Sequence, residues 1–283
     1  MNEQEQLDLS IIICSKNSYD DLVYHFSNIK NFYVKEFIFV CGTDDEYNFI
    51  KYSYEQTNKY TKVIVLKDNN LGIGDARRIG MEEANGDYIL YLGPDNRVSP
   101  DNVKQIYKEL QYNETFKALA FSQRINNPKN YLEKLQNFRF EYKFPTYMPL
   151  EVIGTPHIIK TSLAKEVGYD SSAGPCDDTV FFKEFTRIGH KIAFSDAIAI
   201  EEPQNIFKRM LWYSHSDFNY LKYLDEVKMR NYIHAFKTEF FYIFKEKNLF
   251  RLTYFLPGAL MLSSVRFLSF LRLVLCSREN KSS

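Results

Sequence analysis

The chain has 283 residues, of which 45% are hydrophobic and 25% charged, so it can build a core and is not a disordered polymer. Its length exceeds the usual single domain, which predicts one large domain with an appendage. The 36 basic and 36 acidic side chains cancel overall, but Ile206–Ser283 carries 13 Lys and Arg against 6 Asp and Glu, leaving 23 against 30 before it; an acidic body without nucleic-acid motifs excludes nucleic acid as the expected partner.

Leu9 to Ile13 is a β-rich apolar run that ends in the polar loop Cys14-Ser15-Lys16-Asn17. Ser18 has the character of an N-cap, and Tyr19, Leu22, Val23, Phe26 and Ile29 make a helical stripe behind it. Phe37 to Val40 is the second strand, leaving through Cys41-Gly42-Thr43-Asp44-Asp45, and a helix is predicted from there through Lys59. Val63 to Leu66 is the third strand, followed by Asn69-Asn70-Leu71-Gly72-Ile73-Gly74 and a helix through Ala84. The fourth strand, Tyr88 to Leu92, is five consecutive apolar or aromatic residues entered by Gly86-Asp87 and left by Gly93-Pro94-Asp95-Asn96. A run of that kind suits a strand covered on both faces. Pro100 opens the next helix at its first position, with Val103, Ile106, Tyr107 and Leu110 on one face.

Strands alternating with helices of this length predict a parallel sheet with right-handed crossovers. All four strand-to-helix loops then leave the carboxyl edge of the sheet, where ligands collect in open α/β folds. Asp95 sits at that edge and could hold a substrate or an ion; Gly-Pro-Asp-Asn is also sufficient chemistry for a plain turn.

Beyond Leu119 the expected elements are a strand at Ala118–Ser122, a helix at Tyr131–Phe140 and a short strand at His157–Lys160. A helix then opens at Thr161-Ser162 and closes at Gly168, another begins at Asp177 and ends by Gly189, and two strands lie near Ile192–Phe194 and Ala197–Ile200. From Gln204 the character changes to long aromatic and basic helices. Leu249 to Leu275 is strongly apolar but broken by Arg251, Pro257-Gly258, Arg266 and Arg272, and its uncharged window Leu252–Val265 is shorter than the 20 or so residues of a bilayer span. Arginines at that spacing can snorkel from a helix lying in the interface, so membrane-surface association is expected, with insertion or a homo-oligomer contact as the other uses of the same surface. Arg209, Trp212 and Tyr213 suggest an aromatic-basic patch, although Trp212 also reads as core.

Cys14, Cys41, Cys176 and Cys276 form no Cys-x-x-Cys pair, which predicts neither zinc nor a disulfide framework and fits a reducing compartment. The polar N-terminus, Met1 to Gln6, is read as lacking a signal peptide, so the cytosolic side is expected.

Three stretches together resemble the family 2 glycosyltransferases. They are Ile11-Ile12-Ile13-Cys14-Ser15-Lys16-Asn17, Asn70-Leu71-Gly72-Ile73-Gly74-Asp75-Ala76-Arg77-Arg78-Ile79-Gly80, and Ala84-Asn85-Gly86-Asp87-Tyr88-Ile89-Leu90-Tyr91-Leu92-Gly93-Pro94-Asp95-Asn96. Gly168-Tyr169-Asp170 and Gly174-Pro175-Cys176-Asp177-Asp178 further resemble that family's acidic catalytic segment, so the likeness runs over roughly residues 8–200. It implies a GT-A-like (Rossmann-like), mostly parallel α/β sheet flanked by helices over residues 1–204, followed by a membrane-associating helical region at 205–283. It also implies an inverting enzyme that moves a sugar from a nucleotide-sugar donor to a glycan or lipid-linked acceptor, on the cytoplasmic side of a membrane and with a divalent cation, Mn2+ or Mg2+. Three departures stand out. Phe39-Val40-Cys41-Gly42-Thr43 lacks the two aspartates usual before the Gly-Ser of the loop after the second strand, so Asp44 or Asp45 would have to meet the base. Gly93 replaces the first carboxylate of an Asp-x-Asp motif, leaving Asp95 as the metal ligand with Asn96 a neutral neighbour; Arg78 stands where an Asn is common.

Sugar transfer builds negative charge on the departing diphosphate, which a carboxylate-held cation can offset. The donor-binding set expected on this resemblance is Ser15, Asn17, Asp44, Asp45, Gly72, Arg77, Arg78, Gly93, Asp95 and Asn96. Gly72 lets the backbone approach the phosphates, and Arg77 or Arg78 pairs with them unless they are ordinary solvated arginines. An acceptor hydroxyl needs a general base: Asp178 is the candidate, and Asp177 the reserve, expected chiefly to cap its helix. His157, His190 and His215 lack paired metal-ligand spacing and read first as structural, with His157 ranked ahead as a possible added ligand. Two rivals remain: a catalytically degenerate membrane-bound nucleotide-sugar-binding protein, and a sugar nucleotidyltransferase. The latter would want glycines in the loop after the first strand, which holds none.

Overall fold

The computed structural model describes residues 6–53, 61–143, 146–203, 205–224 and 242–279. The continuation of the second helix through Lys59 and the proposed boundary at Gln204 fall outside them. Contacts divide the chain into two compact units, Met1–Ser122 with Thr146–Ile200, and Gln123–Pro145 with Glu201–Ser283. The second unit thus takes in a segment that the sequence reading left with the first.

In the first unit the predicted alternation is present: β1 (Leu7–Ser15), α1 (Tyr19–Asn28), β2 (Val34–Cys41), α2 (Asp44–Ser53), β3 (Lys62–Lys67), α3 (Ile73–Glu83) and β4 (Tyr88–Leu92). After these come β5 (Asn96–Val98), α4 (Pro100–Gln111), β6 (Phe116–Ile125), β7 (His157–Lys160), α6 (Thr161–Val167), α7 (Asp177–Arg187) and β8 (Lys191–Glu201), with α5 (Tyr131–Lys143) belonging to the second unit. Among the described residues the strands form one sheet in the order β3-β2-β1-β4-β7-β6-β8-β5. β2, β1 and β4 run parallel, as do β2 and β3, whereas β7 is antiparallel to both β4 and β6. The sheet is therefore parallel in the half that carries the predicted loops and mixed beyond it.

β1 is central, and every residue from Leu9 onward is buried, as a strand covered on both faces requires. Its one internal polar residue, Ser10, is satisfied: Ser10 Oγ donates to Glu36 Oε1 at 2.7 Å and accepts from Gly86 N at 2.8 Å, while Asn85 N donates to the same Glu36 oxygen at 2.7 Å. The turn before β4 is thereby tied to β1 and β2. Gly86 has to be glycine there, because a Cβ would come within 2.6 Å of Ser10 N.

The register levels the carboxyl ends. Ser15 faces Cys41, Cys41 faces Lys67, and Ile13 faces Leu92. The loops after β1, β2, β3 and β4 consequently open at one edge, as the alternation predicted. Three local expectations change. The two strands expected between Ile192 and Ile200 are one continuous β8, since the intervening Ser195-Asp196 stays in the ladder. Asn96 starts the short strand β5, unforeseen because three residues carry no period. Ser18 makes no side-chain cap; its backbone N–H donates to Glu46 Oε1 at 2.8 Å instead.

The second unit packs α5 with α8 (Ile206–Tyr223) and α9 (Leu249–Glu279) around Leu135, Phe138, Ile206, Met210, Phe255 and Leu262. α9 runs through Pro257, which cannot donate a helical hydrogen bond. The Tyr131 hydroxyl bridges the site, donating to Tyr254 O at 3.0 Å and accepting from Gly258 N at 3.1 Å, so the break is filled by a side chain from α5. Two of the three arginines expected to snorkel are otherwise engaged: Arg251 pairs with Glu141 at 2.9 Å and Arg266 with Asp217 at 2.6 Å. Phe255, Ala259, Leu262, Arg266, Phe270 and Val274 are buried along one face of α9, while Leu249, Phe250, Tyr254, Leu268 and Leu275 are exposed. By length and composition alone α9 could cross a bilayer. The aromatic-basic patch expected on α8 does not form, because Arg209 pairs with buried Glu201 and Tyr213 lies against Arg266. Trp212, read first as core, is 53% exposed.

Candidate active site

Four loops at the carboxyl edge of the parallel strands build the site. After β1, Ser15 Oγ donates to Glu46 Oε1 at 2.8 Å, and after β2, Thr43 Oγ1 donates to Glu46 Oε2 at 3.0 Å. Glu46 is buried, and with the Ser18 N–H it uses both oxygens to lock the two loops together. Its signal was present in the sequence: Thr43-x-x-Glu46 is a capping-box spacing, and Glu46 N does donate to Thr43 Oγ1 at 3.3 Å. Ser15 is accordingly buried and committed. Asn17, in left-handed backbone at φ 59°, and Asp45 stay exposed and line an open cleft with Thr43, Asn48 and Phe49. Asp44 faces solvent and pairs with Lys67 at 2.6 Å, leaving Asp45 as the acidic side chain of that loop in the cleft.

After β3, Gly72 adopts φ 110° and caps α3. This backbone disfavours any side chain, and a Cβ there would meet nothing within 4 Å, so the glycine serves conformation rather than packing. Gly74 is different: a Cβ would stand 3.0 Å from Asp170 O and 3.1 Å from Asp177 Cβ, so its absence lets α3 approach the start of α7. Arg78 pairs with buried Asp75 at 2.7 Å and with Glu82 at 2.7 Å.

After β4, the turn Gly93–Asn96 is closed from within. Asn96 N donates to Gly93 O at 3.0 Å, and Gly93 N donates to Asn96 Oδ1 at 2.9 Å. Asn96 is buried and serves the turn, while Asp95 is partly exposed. A side chain at position 93 would stand 2.8 Å from Asp95 Oδ1 and 2.9 Å from Asn96 Oδ1, so in this arrangement Gly93 lets both side chains fold over the turn. A clamp unforeseen from sequence holds it: Arg97 Nη1 donates to Pro94 O at 2.6 Å, pairs with Asp21 and lies over the Tyr24 ring at 4.1 Å. His25 Nε2 donates to the same carbonyl at 2.9 Å.

Asp177 and Asp178 begin α7, but Asp177 caps nothing. It is 3% exposed, and its Oδ2 accepts from Arg77 Nη1 at 2.6 Å; the same nitrogen reaches Asp178 Oδ1. The correction has a simple cause, since a buried carboxylate finds a full charge in Arg77, stronger than the partial charge of a helix terminus. Asp178 keeps 26% of its side chain exposed, and its Oδ2 lies 3.7 Å from where a Gly154 Cβ would be. Tyr91, next to last in β4, donates from its hydroxyl to Arg77 O at 3.3 Å, which sets this group beside the end of β4.

His157 is fully buried between Tyr91 and Phe182, with Nδ1 donating to Gly154 O at 3.1 Å. Its ring is committed to the core, which corrects the expectation that it might reach an ion. Burial and the Arg77 cation push His157 down to about 3, and burial with Arg97 pushes His25 down to about 4. Both values are depressed, so the unfolded chain binds these protons first. Stability is full above about pH 6.5 and falls as pH drops toward 4, by up to about 1.4 kcal/mol per pH unit for each ring. Urea midpoints at pH 7, 6 and 5 should therefore decline steadily, before carboxylate protonation contributes; an unchanged midpoint would contradict the burial of both rings. Burial likewise pushes the thiols of Cys14 and Cys41 up to about 12, and both are free.

The family model described as Glycosyl transferase family 2 matches residues 10–165 of this chain. A curated relative, the cholesterol galactosyltransferase of Borreliella burgdorferi, is 26% identical over 100 residues, which is 35% of this chain and 28% of that protein's length. Among solved structures, the mannosyltransferase PcManGT from Pyrobaculum calidifontis, in complex with GDP-Man and Mn2+, is similar with a TM-score of 0.61 at 14% identity, covering 93% of this chain and 74% of that one. S. aureus TarS 1–349 in complex with UDP-GlcNAc is similar with a TM-score of 0.52 at 12% identity, covering 96% of this chain and 92% of that one. At these identities the likeness shows the fold, and it is the GT-A-like architecture expected from the sequence.

Proposed function

Because the chain belongs to glycosyl transferase family 2, we propose that it is an inverting glycosyltransferase moving a sugar from a nucleoside-diphosphate-sugar to an acceptor hydroxyl. The observation that carries this reading is the Arg77-bound Asp177–Asp178 start of α7, whose arginine carbonyl is held by Tyr91 of β4, the strand that leads into the clamped Asp95 turn. In the reaction Asp178 accepts the hydroxyl proton as that oxygen attacks the anomeric carbon, and the bond from this carbon to the diphosphate oxygen breaks. Single displacement of this kind inverts the anomeric centre.

Among the described residues no group of three or more His, Cys, Asp or Glu side chains is arranged to hold an ion. Asp95 fits as one protein ligand of a cation shared with the donor's phosphate oxygens. When bound, Mn2+ or Mg2+ would offset the charge that grows on the departing diphosphate. Asn17, Asp45 and the Gly72 backbone are the groups of the donor-binding set still free to face a nucleotide in this arrangement, with Asp45 taking the place of the aspartates absent before Gly42.

Calorimetric binding of UDP, GDP, CDP and dTDP, each with and without Mn2+, tests the donor site without knowledge of the acceptor. Tight, metal-dependent binding of one of them is expected; binding of none would remove the enzyme reading. The departure at Gly93 favours a second reading, a catalytically degenerate nucleotide-sugar-binding protein, which would show binding without turnover.

For the acceptor we propose a lipid-linked glycan or other cell-envelope glycoconjugate, met at the cytoplasmic face of a membrane by the helical unit around residues 205–283. The exposed apolar residues of α9, the exposed Trp212 and the basic excess of this region support it. The full chain should float with vesicles containing anionic lipid. A protein that stays in the soluble fraction as a dimer would assign the same face to a second copy.

A further inference from the structure

We propose that Arg77 is a positioning residue for Asp178, holding the base in line for the acceptor, and not a ligand of the donor's phosphates; the inference rests on the glycosyl-transfer reading above. Position 77 lies in the stretch from which a phosphate-binding arginine was expected. The guanidinium is only 8% exposed and is already engaged by two carboxylates, Asp177 Oδ2 at 2.6 Å and Asp178 Oδ1. Turning it toward a diphosphate would leave Asp177, itself 3% exposed, as a buried charge without a counter-ion, an arrangement that folded proteins avoid.

The geometry also explains why one arginine should serve two neighbouring aspartates. Consecutive residues on a helix point about 100° apart, so unaided side chains at positions 177 and 178 diverge. Arg77 meets both through one nitrogen, Nη1, which brings the two carboxylates to a common point and restricts the rotamers of each. Asp177 is then an anchor, buried and spent. Asp178 has Oδ1 against Arg77, while Oδ2 lies toward Gly154, on the side away from the arginine. Three surrounding features fix the arginine in turn. The Tyr169 ring lies 5.8 Å from its guanidinium carbon, the Tyr91 hydroxyl holds its backbone carbonyl, and Gly74 permits α3 to approach Asp177. Arg77 thus links α3, packed after the donor-side loop, to the anchor Asp177, 100 residues later in the chain, and to the base beside it on α7.

The test uses the full chain with Arg77→Met and Arg77→Lys, measuring affinity for whichever of the four nucleoside diphosphates the wild type binds with Mn2+, and release of that nucleotide from its sugar donor. Arg77→Met should leave the nucleotide dissociation constant and the donor KM within about 3-fold and lower kcat by roughly 30- to 100-fold, a fraction of what a general base contributes. The double variant Arg77→Met/Asp178→Asn should be no slower than Asp178→Asn alone, since positioning has no value without the base. A rise of tenfold or more in the dissociation constant would instead make Arg77 a phosphate ligand, and unchanged kcat would remove it from catalysis; either overturns the proposal. Should Arg77→Met fail to fold, Arg77→Lys decides, since a lysine keeps the counter-charge for Asp177 but ends one bond short of the Nη1 position that meets both carboxylates: reduced kcat with intact binding supports positioning, and weakened binding overturns it. A wild type that binds no nucleotide would overturn the glycosyl-transfer reading itself, an outcome distinct from either.

Discussion

Asp178→Asn is expected to lower turnover by about 10²- to 10⁴-fold while nucleotide affinity stays within about 2-fold. The amide has the shape of the carboxylate but no basic oxygen to take the acceptor's proton. On the rate side this corresponds to about 3 to 5 kcal/mol of lost transition-state stabilisation. Folding should survive, because the buried member of the pair, Asp177, remains as counter-ion to Arg77. Release of nucleotide from the donor, measured beside calorimetric binding, separates the outcomes. Turnover lost with binding kept assigns the base and excludes the catalytically degenerate reading, while turnover at the wild-type rate removes Asp178 from the chemistry. Asp177→Asn is a useful contrast, since it takes a charge from a buried ion pair and should cost stability as well as rate.

For Asp95→Ala the expected result is loss of the metal dependence of nucleotide binding, with affinity in Mn2+ falling roughly 10- to 100-fold, about 1.4 to 2.8 kcal/mol, and affinity without metal unchanged. The reasoning follows from the turn. Its shape is maintained by Asn96, His25 and Arg97, so deleting the Asp95 carboxylate should remove a ligand without collapsing the loop. With no second carboxylate at position 93, there is little at the turn to compensate. Equal stimulation of wild type and variant by Mn2+ would show that the ion is bound by nucleotide alone.

What was legible in the chain before folding was whatever depends on near neighbours. The five-residue run Tyr88–Leu92 between Gly-Asp and Gly-Pro reads as a buried strand with a turn behind it, and that is β4 with its Asp95 turn. The alternation of strands and helices specifies a parallel arrangement, and with it the gathering of four loops at one edge, because every crossover returns the chain to the same end of the sheet. Even the joint between the first two loops was written locally, in the Thr43-x-x-Glu46 spacing, although its reach to Ser15 was not.

Tertiary structure alone decided how the charges are spent. Arg77 and Arg78 are adjacent and equivalent on paper, yet one is buried against Asp177 and Asp178 while the other balances Asp75 and Glu82 at the surface of the same helix. Asp177 and Asp178 differ only in which of them α3 covers. His157 looked placed to reach the cleft and instead packs between Tyr91 and Phe182, and Arg251 and Arg266 of α9 look free in sequence but pair with Glu141 and Asp217. The physical reason is common to all of them. Periodicity and turn chemistry are fixed by bonds a few residues long, whereas the worth of a charge depends on burial and on partners brought up from as many as 110 residues away.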